Sequence, residues 1–257
     1  MRIISPLTPR TIMLNPALEQ TLTRLRLGGL KTSLPVRLQE ANASQLSHLE
    51  FLELILQDEE LVRENRKRER WIKRAGFREI RRLDQFDWRF NPKINRKLIY
   101  DLAAGSYLEA GRDVLMVGPP GVGKSHLAQA LGYEAILQGK TVRYQSIFDL
   151  VADLKQAETL DDDRKVVNGY LKPDLLIIDD MGIKQLPGKA GEHLFEIIMR
   201  RYEVRSTLMT SNRPIEDWGK LIGDVPAAGA ILDRFLHHAV ILEMPGRSYR
   251  IQNRENA

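Results

Sequence analysis

Residues 118–125 read Gly-Pro-Pro-Gly-Val-Gly-Lys-Ser and follow directly on the apolar run Val114–Val117. Small residues at this spacing let backbone N–H groups surround a chain of phosphates, and a helix that begins at Lys124 adds its positive N-terminal end. We therefore expect this segment, the phosphate loop, to bind a nucleoside triphosphate. Lys124 would reach the β and γ phosphates, and Ser125 would give its hydroxyl to Mg²⁺. The expected nucleotide contacts are Gly118, Pro119, Pro120, Gly121, Val122, Gly123, Lys124, Ser125 and His126.

A second pattern places two acidic residues at the end of an apolar run. Residues 175–178 are all apolar, and Asp179 and Asp180 follow them. Parallel strands end near the bound phosphates, so we expect Asp179 to hold Mg²⁺ through water and Asp180 to orient or deprotonate an attacking water. An apolar run that ends in two acidic residues is weak evidence for such a site by itself. It becomes strong evidence when it follows a phosphate loop in the chain, with another strand and helix between the two motifs.

Two further residues have the chemistry to complete a hydrolytic site. Asn212 follows another apolar run, and its amide would position the attacking water; the alternative is an asparagine that forms a turn before Pro214. Arg234 lies at the end of a predicted helix that begins at Ala227, where it would stabilise charge on a neighbouring protomer's nucleotide. Three histidines show no metal-ligand spacing with acidic residues. They are His193, His237 and His238.

The elements that must position these residues alternate along the chain from residue 112. The predicted strands cover 113–117, 141–145, 174–178, 207–211 and 239–244, and the predicted helices cover 124–137, 147–157 and 190–203. This alternation is typical of an α/β fold in which a mainly parallel sheet lies between helices. We therefore predict a P-loop ATPase core with this architecture.

The preceding part of the chain predicts a smaller, all-helical unit. Leucines between Pro16 and Leu61 recur at helical spacing, whereas periodicity stops around residues 86–92, which is typical of a linker. The resulting division of the chain is a helical N-terminal domain at 1–70 for contact with DNA or a protein partner, a basic linker at 71–111, and the ATPase domain at 112–257.

The positive charge of the chain is concentrated in one segment. Residues 63–97 hold fourteen Lys or Arg against five Asp or Glu, in a chain whose formal net charge is +5. Cations on one helix face with interleaved aromatic residues favour binding to nucleic acid. The alternative is a solvated helix face, which explains most charge runs. The predicted DNA contacts are Arg63, Arg66, Lys67, Arg70, Lys73 and Arg74.

Composition excludes several classes of protein. The chain has 43% hydrophobic and 28% charged residues and no cysteine, so it can bury a core but cannot form disulfides or thiolate metal sites. Pro6, Pro9 and Arg10 interrupt the start of the chain, unlike a signal peptide. No apolar run approaches a membrane span. We expect a cytoplasmic protein with no membrane partner.

The order of the motifs resembles that of IstB-type AAA+ ATPases. The resemblance rests on the phosphate loop, residues 173–182, residues 210–213 and the closing Gly-Arg-Ser-Tyr-Arg at 246–250. The N-terminal Leu-Arg-Leu-Gly-Gly-Leu at 25–30 and the Phe-Asp-Trp at 86–88 match it too. The resemblance therefore covers nearly the whole chain.

The resemblance implies a helper encoded beside the transposase of an insertion sequence. Such a protein forms a homo-oligomer on double-stranded DNA with ATP between protomers, helps to choose target sites and stimulates the transposase. By position, Lys124 and Ser125 would bind nucleotide and Mg²⁺, and Asp179 with Asp180 would form Walker B. Asn212 would be sensor 1. Arg234 is the candidate arginine finger, with Arg213 as the alternative.

Two departures from the family pattern bear on activity. AAA+ enzymes most often have Glu where this chain has Asp180, so hydrolysis is expected to be slow. Few residues follow the last predicted strand, so no C-terminal lid domain is expected. Two alternatives stay open: a DnaC-like helicase loader that binds single-stranded DNA, and an ATP-switched binding module that does not hydrolyse ATP.

Overall fold

The computed structural model describes residues 13–160, 163–181, 190–218 and 233–249. It divides the chain into two units, Met1–Arg70 and Trp71–Ala257. In the described ranges no helix is both long and apolar enough to cross a membrane. The helices of the first unit are α1 (Pro16–Arg24), α2 (Gly28–Ser44) and α3 (His48–Ala75), the last residues of which are assigned to the second unit.

The first unit is held by a small apolar core and one close helix approach. A Cβ on Gly29 would lie 2.8 Å from Val62 Cβ and 3.0 Å from Glu59 Cα, so only glycine lets α2 begin this near to α3. The Glu59 carboxylate accepts a hydrogen bond from the Leu30 N–H at 2.8 Å, which satisfies one of the free donors at the start of α2. The core residues are Leu22, Leu30, Leu34 and Ile55.

The second unit contains a five-stranded sheet with helices between its strands. The strands are β1 (Val114–Val117), β2 (Val142–Ser146), β3 (Leu175–Met181), β4 (Ser206–Ser211) and β5 (Val240–Glu243). The helices are α4 (Arg96–Ala103), α5 (Ser106–Glu109), α6 (Lys124–Leu137), α7 (Ile147–Leu160), α8 (Asp163–Leu171) and α9 (Ala190–Arg201). The strand order is β2-β3-β4-β1-β5, and every neighbouring pair is parallel. The predicted α/β class and parallel sheet are confirmed.

The sheet is buried on both faces, because alternate residues of its strands enter two different cores. In β3, Leu175 and Ile177 belong to the core that α6 covers, whereas Leu176 and Ile178 belong to the core formed with α7, α8 and α9. Parallel strands between helices read as continuous apolar runs for this reason. Because all five strands are parallel, their carboxyl ends lie at one edge of the sheet.

The residues predicted to be a linker, 71–111, lie in this second unit and contribute to its core. Ile99, Leu102 and Tyr107 are buried in the same cluster as α6. Their helices, α4 and α5, are only eight and four residues long, and Gly105 between them has φ +87°. Elements this short give no periodic run in the sequence, so the pattern suggested a linker where the structure has packed helices.

Buried Asp113 ties three strands together at the start of β1. Its carboxylate accepts a hydrogen bond from the Thr207 N–H at 2.6 Å, and its backbone carbonyl accepts one from the Val240 N–H at 2.8 Å. Burial raises the pKa of Asp113 to about 7, although the hydrogen bonds from Thr207 and the charge of Arg201 oppose the shift. The folded protein therefore binds a proton that the unfolded chain releases near pH 4.

We predict that Asp113→Asn gains stability relative to the native chain as pH rises. The protonated carboxyl favours folding at low pH, and this contribution is lost as the pH rises through 7. The gain between pH 4 and pH 8 is up to about 4 kcal/mol in the free energy of unfolding, measured with urea. Asp101→Asn, on the exposed face of α4, is the control. If the difference in the free energy of unfolding between the Asp113 variant and the native chain did not change with pH, the raised pKa of Asp113 would be contradicted.

Candidate functional site

The phosphate loop joins β1 to α6 with the backbone that its glycines allow. Gly121 and Gly123 have φ of +81° and +103°, which other residues rarely adopt. The side chain of Lys124 is largely buried, and its Nζ donates to the carbonyls of Gly118 at 2.7 Å and Pro119 at 2.8 Å. The ammonium group is thus held inside the loop that is expected to surround the phosphates.

Two distant segments of the chain pack against the phosphate loop. A Cβ on Gly123 would lie 2.5 Å from Phe86 Cε2, and a Cβ on Gly121 would collide with Ser248 Oγ. The Tyr249 N–H donates to the Gly121 carbonyl at 3.0 Å. The Phe-Asp-Trp and Gly-Arg-Ser-Tyr-Arg motifs therefore meet at this loop. Their packing explains why glycine is needed there beyond its backbone freedom.

His126, predicted to contact nucleotide, faces the segment before α4. Its Nε2 lies 3.1 Å from the Arg82 carbonyl oxygen, and its ring packs edge-on against Phe86 at 5.3 Å. Burial lowers the pKa of His126. These contacts give the imidazole a packing role, and its contact with nucleotide stays a prediction.

Three hydroxyl groups from three elements surround the carboxylate of Asp179. The side chain is fully buried, and it accepts hydrogen bonds from Ser125 Oγ at 3.0 Å, Tyr144 Oη at 2.5 Å and Thr210 Oγ1. Burial and the charge of Asp179 both raise the pKa of Tyr144, so the phenol keeps the proton that it donates. The carboxylate is fixed beside Ser125, the other predicted Mg²⁺ ligand.

Asp179 and Asp180 occupy a β-bulge. Ile178 pairs with Met209 and Met181 pairs with Ser211, so the two acids together oppose the single residue Thr210. Asp180 has φ +64°, and its N–H donates to Thr210 Oγ1 at 3.0 Å. Thr210 thus binds both acids through one hydroxyl. A bulge changes the side-chain alternation of a strand, and it brings two consecutive carboxylates to the carboxyl end of β3.

Asp180 is more accessible than Asp179 and lies near a positive charge. One third of its side chain is exposed, and its carboxylate oxygen lies 3.7 Å from Arg78 Nη1. Arg78 belongs to the basic segment at 63–97. The second acid of the pair is therefore open to solvent on one side.

Asn212 follows β4, the strand beside β3, and so lies at the same edge of the sheet as the two acids. Its Oδ1 is buried and has no hydrogen-bond partner among the described residues. Buried polar atoms without a partner are rare and often mark a binding position. This oxygen is suited to the water-positioning role predicted for Asn212, which stays a prediction.

The two candidate arginines are both exposed. Arg213 lies in a turn in which the Ser211 hydroxyl bonds its backbone N–H and carbonyl. Arg234 lies in a helical turn at 233–237, with its guanidinium carbon 5.5 Å from the centre of the Tyr202 ring. Residues 227–232 of its predicted helix are outside the described ranges. The geometry leaves both side chains accessible to another molecule.

A groove in the first unit contains four of the six predicted DNA-binding residues. It has a volume of about 820 Å³ and is lined by Arg63, Arg66, Lys67 and Arg70 of α3, by the acids Glu59, Glu60 and Glu64 of the same helix, and by residues 25–27 from the turn before α2. All six predicted residues, including Lys73 and Arg74, have exposed side chains. The basic run therefore gives a surface with cations along one stretch of α3.

The glycines of the Leu-Arg-Leu-Gly-Gly-Leu motif shape this groove. A Cβ on Gly28 would lie 3.1 Å from Arg66 Nη1, so the guanidinium packs over the start of α2. Arg63 donates to Glu59 at 2.6 Å and to the Arg26 carbonyl at 3.2 Å. Burial acts to raise the pKa of Glu59, but its hydrogen bonds hold that pKa below its ordinary value. One acid of the groove is thus neutralised by Arg63.

The sheet order, the phosphate loop and the paired acids after β3 define a P-loop ATPase core of the AAA+ class. The family model of IstB-like ATP-binding proteins matches residues 20–257, and the chain belongs to this family. The ATP-binding protein of insertion sequence IS21 from Pseudomonas aeruginosa is 36% identical over 240 residues, 93% of this chain and 91% of that protein. The corresponding protein of IS5376 from Geobacillus stearothermophilus is 35% identical over 214 residues, 83% and 85% of the two chains.

Solved structures of replication proteins have a similar fold. The DnaC helicase loader aligns with a TM-score of 0.51 at 24% identity, covering 58% of this chain and 86% of that one. AMPPCP-bound DnaA from Aquifex aeolicus aligns with a TM-score of 0.56 at 22% identity, covering 70% and 55%. At these identities the likeness is evidence for the fold alone.

Sequence reasoning missed the partners that hold the paired acids. Thr210 lies within the 210–213 motif, in which only Asn212 and Arg213 have a predicted role, and Tyr144 is one aromatic residue of an ordinary strand pattern. A hydroxyl residue two positions before Asn212, near the end of a predicted strand, is a usable signal for Thr210. No local signal distinguishes Tyr144, since its role depends on which strand lies next to β3.

We predict that Thr210→Val destabilises the protein and weakens Mg²⁺-dependent nucleotide binding, whereas Thr210→Ser does neither. Valine has the same shape but removes the acceptor of the Asp180 N–H and one of the two hydroxyl donors to Asp179 Oδ1, at a cost of about 1–3 kcal/mol. Urea unfolding measures the stability, and calorimetric titration with ATP and Mg²⁺ measures the affinity. Equal behaviour of the valine and serine variants would show that the hydroxyl has no such role.

Proposed function

We propose that this protein is an ATP-dependent DNA-binding helper of transposition. It would oligomerise on double-stranded target DNA and recruit or stimulate its transposase. One observation carries the proposal: a chain whose relatives are named as ATP-binding proteins of insertion sequences combines a complete phosphate loop with a groove whose lining holds five cations against three acids. These relatives favour transposition over helicase loading.

In this proposal, Lys124 leaves its two carbonyl partners and binds the β and γ phosphates, while the N–H groups of the loop surround them. Asp180 orients or deprotonates the attacking water, and the unpartnered Asn212 Oδ1 holds that water from the neighbouring strand. Preorganised charges of this kind contribute most of the rate in phosphoryl transfer. Asp180 is shorter than glutamate, so slow hydrolysis is expected.

The residues around Ser125 suit Mg²⁺. Its hydroxyl and the Asp179 carboxylate, 3.0 Å apart, are the hard oxygen ligands that Mg²⁺ prefers. When bound there, Mg²⁺ would neutralise charge on the β and γ phosphates. Tyr144 and Thr210 would keep Asp179 oriented toward this position.

Oligomer formation would complete the site. An exposed arginine, Arg234 or Arg213, would reach the nucleotide of a neighbouring protomer and stabilise the charge that develops during hydrolysis. ATP bound between protomers would then hold the assembly on DNA, and hydrolysis would release it. A single protomer would bind ATP but hydrolyse it slowly.

We predict that Lys124→Ala abolishes phosphate release without unfolding the chain. Loss of one preorganised cation from a phosphoryl-transfer site costs roughly 100-fold or more in rate. Phosphate release is measured with and without double-stranded DNA, and circular dichroism checks the fold. Phosphate release that persists at the native rate in the variant would remove the proposed hydrolytic site. No release from the native chain under any condition would favour the non-hydrolysing module.

We predict that substituting Arg66, Lys67 and Arg70 together by alanine weakens binding to all double-stranded sequences alike. Each lost phosphate contact lowers the salt dependence, so the slope of log K against log salt becomes shallower by roughly 2 to 3. Fluorescence anisotropy with duplex and single-stranded DNA, each with ATP and with ADP, measures the effect. The native chain is expected to prefer duplex DNA with ATP.

The matched control removes three positive charges elsewhere on the chain, at Lys155, Arg164 and Lys165 of α7 and α8. It should leave DNA affinity nearly unchanged. If the two triple variants lowered DNA affinity equally, the basic run would be interpreted as a solvated helix face. A preference for single strands would favour the helicase-loader alternative, and an oligomeric state and DNA affinity that ATP does not change would overturn the assembly proposal.

A further inference from the structure

Glu203, His237 and His238 form a cluster of metal-ligating side chains outside the nucleotide site. Each offers one ligand atom, and these atoms all lie within 4.8 Å of one another. Glu203 lies in the turn after α9, whereas His237 is the last residue of the helical turn that carries Arg234, and His238 follows it. These histidines show no metal-ligand spacing in the sequence, because their acidic partner lies more than thirty positions away and only the fold brings it near.

The neighbouring tyrosine orients both histidines. The Tyr202 hydroxyl lies 2.9 Å from His237 Nδ1, and the Tyr202 ring stacks on the His238 ring with an interplanar angle of 21°. His238 Nε2 lies 3.0 Å from a Glu203 carboxylate oxygen. Metal-binding histidines usually have a hydrogen-bond partner for one ring nitrogen, and the Tyr202 hydroxyl lies at hydrogen-bond distance from one nitrogen of His237. A simple ion pair between Glu203 and His238 would not need His237 at ligand distance.

We propose that Glu203, His237 and His238 bind a divalent cation of the zinc class. Two imidazoles and one carboxylate are the ligands that Zn²⁺ takes in protein sites with an open fourth position, whereas Mg²⁺ prefers oxygen ligands alone. All three side chains are exposed, so a cation can enter directly. The site is chemically distinct from the Mg²⁺ position at Ser125 and Asp179.

A cation bound here would tie the helical turn at 233–237 to the turn after α9. Arg234 belongs to that helical turn and lies over the Tyr202 ring. Metal binding would therefore restrict the candidate arginine finger, a consequence that rests on the proposed function. The binding itself does not depend on ATP hydrolysis, so the two proposals can fail separately.

Calorimetric titration of tag-free, metal-stripped protein with ZnCl₂ tests the proposal, and MgCl₂ is the parallel probe. One Zn²⁺ per chain is expected, with an affinity that falls roughly tenfold or more in Glu203→Gln and in the double variant His237→Ala/His238→Ala. Tyr202→Phe should weaken binding as well, because it removes the hydroxyl that orients His237. His48→Ala, at an exposed histidine of α3, is the control and should bind as the native chain does.

Hydrogen exchange gives a second readout. Zn²⁺ should slow exchange of the amides at 234–239 in the native chain and leave the double variant unaffected. Because the three side chains are exposed, the variants should unfold in urea as the native chain does when metal is absent. No stoichiometric Zn²⁺ binding, or binding that the double variant and Glu203→Gln retain in full, would overturn the site.

Discussion

The buried carboxylate of Asp179 is the interaction on which the rest of the site depends. A charged group inside a protein is costly unless hydrogen bonds replace its water. Here the replacements come from Ser125 on α6, Tyr144 on β2 and Thr210 on β4. Each donor belongs to an element that must keep its register for the bond to form. The carboxylate therefore links the phosphate loop to the three strands β2, β3 and β4.

The phosphate loop has a second constraint, since its outer side is packed by segments far away in sequence. Phe86 meets Gly123, Asn91 donates to the Val122 carbonyl at 3.4 Å, and Ser248 meets Gly121. Backbone conformation and steric room both require the loop's glycines. If a bound nucleotide changes the conformation of the loop, these contacting segments must move as well. They can therefore respond to nucleotide binding.

The parts of the fold that were predictable depend on local pattern. The strands ending at Val117 and Ser211 and the helix Lys124–Leu137 were predicted within a residue or two, because long apolar runs and a phosphate loop leave few alternatives. The parts that were missed depend on contacts between distant residues. They include the packing of α4 and α5, the partners of Asp179 and the meeting of Glu203 with His237 and His238. No sequence window contains both sides of such a contact.

The bulge in β3 shows how a local irregularity can serve chemistry. Ile178 and Met181 both enter the core formed with α7, α8 and α9, although an odd number of steps in a regular strand would place them on opposite faces. The extra residue restores the apolar face after the acids, so neither carboxylate has to enter that core. Thr210 then binds Asp179 and the backbone of Asp180 through one hydroxyl. In a regular strand, the second acid would instead be directed into the apolar core, so the left-handed conformation of Asp180 is what makes the acidic pair compatible with the sheet.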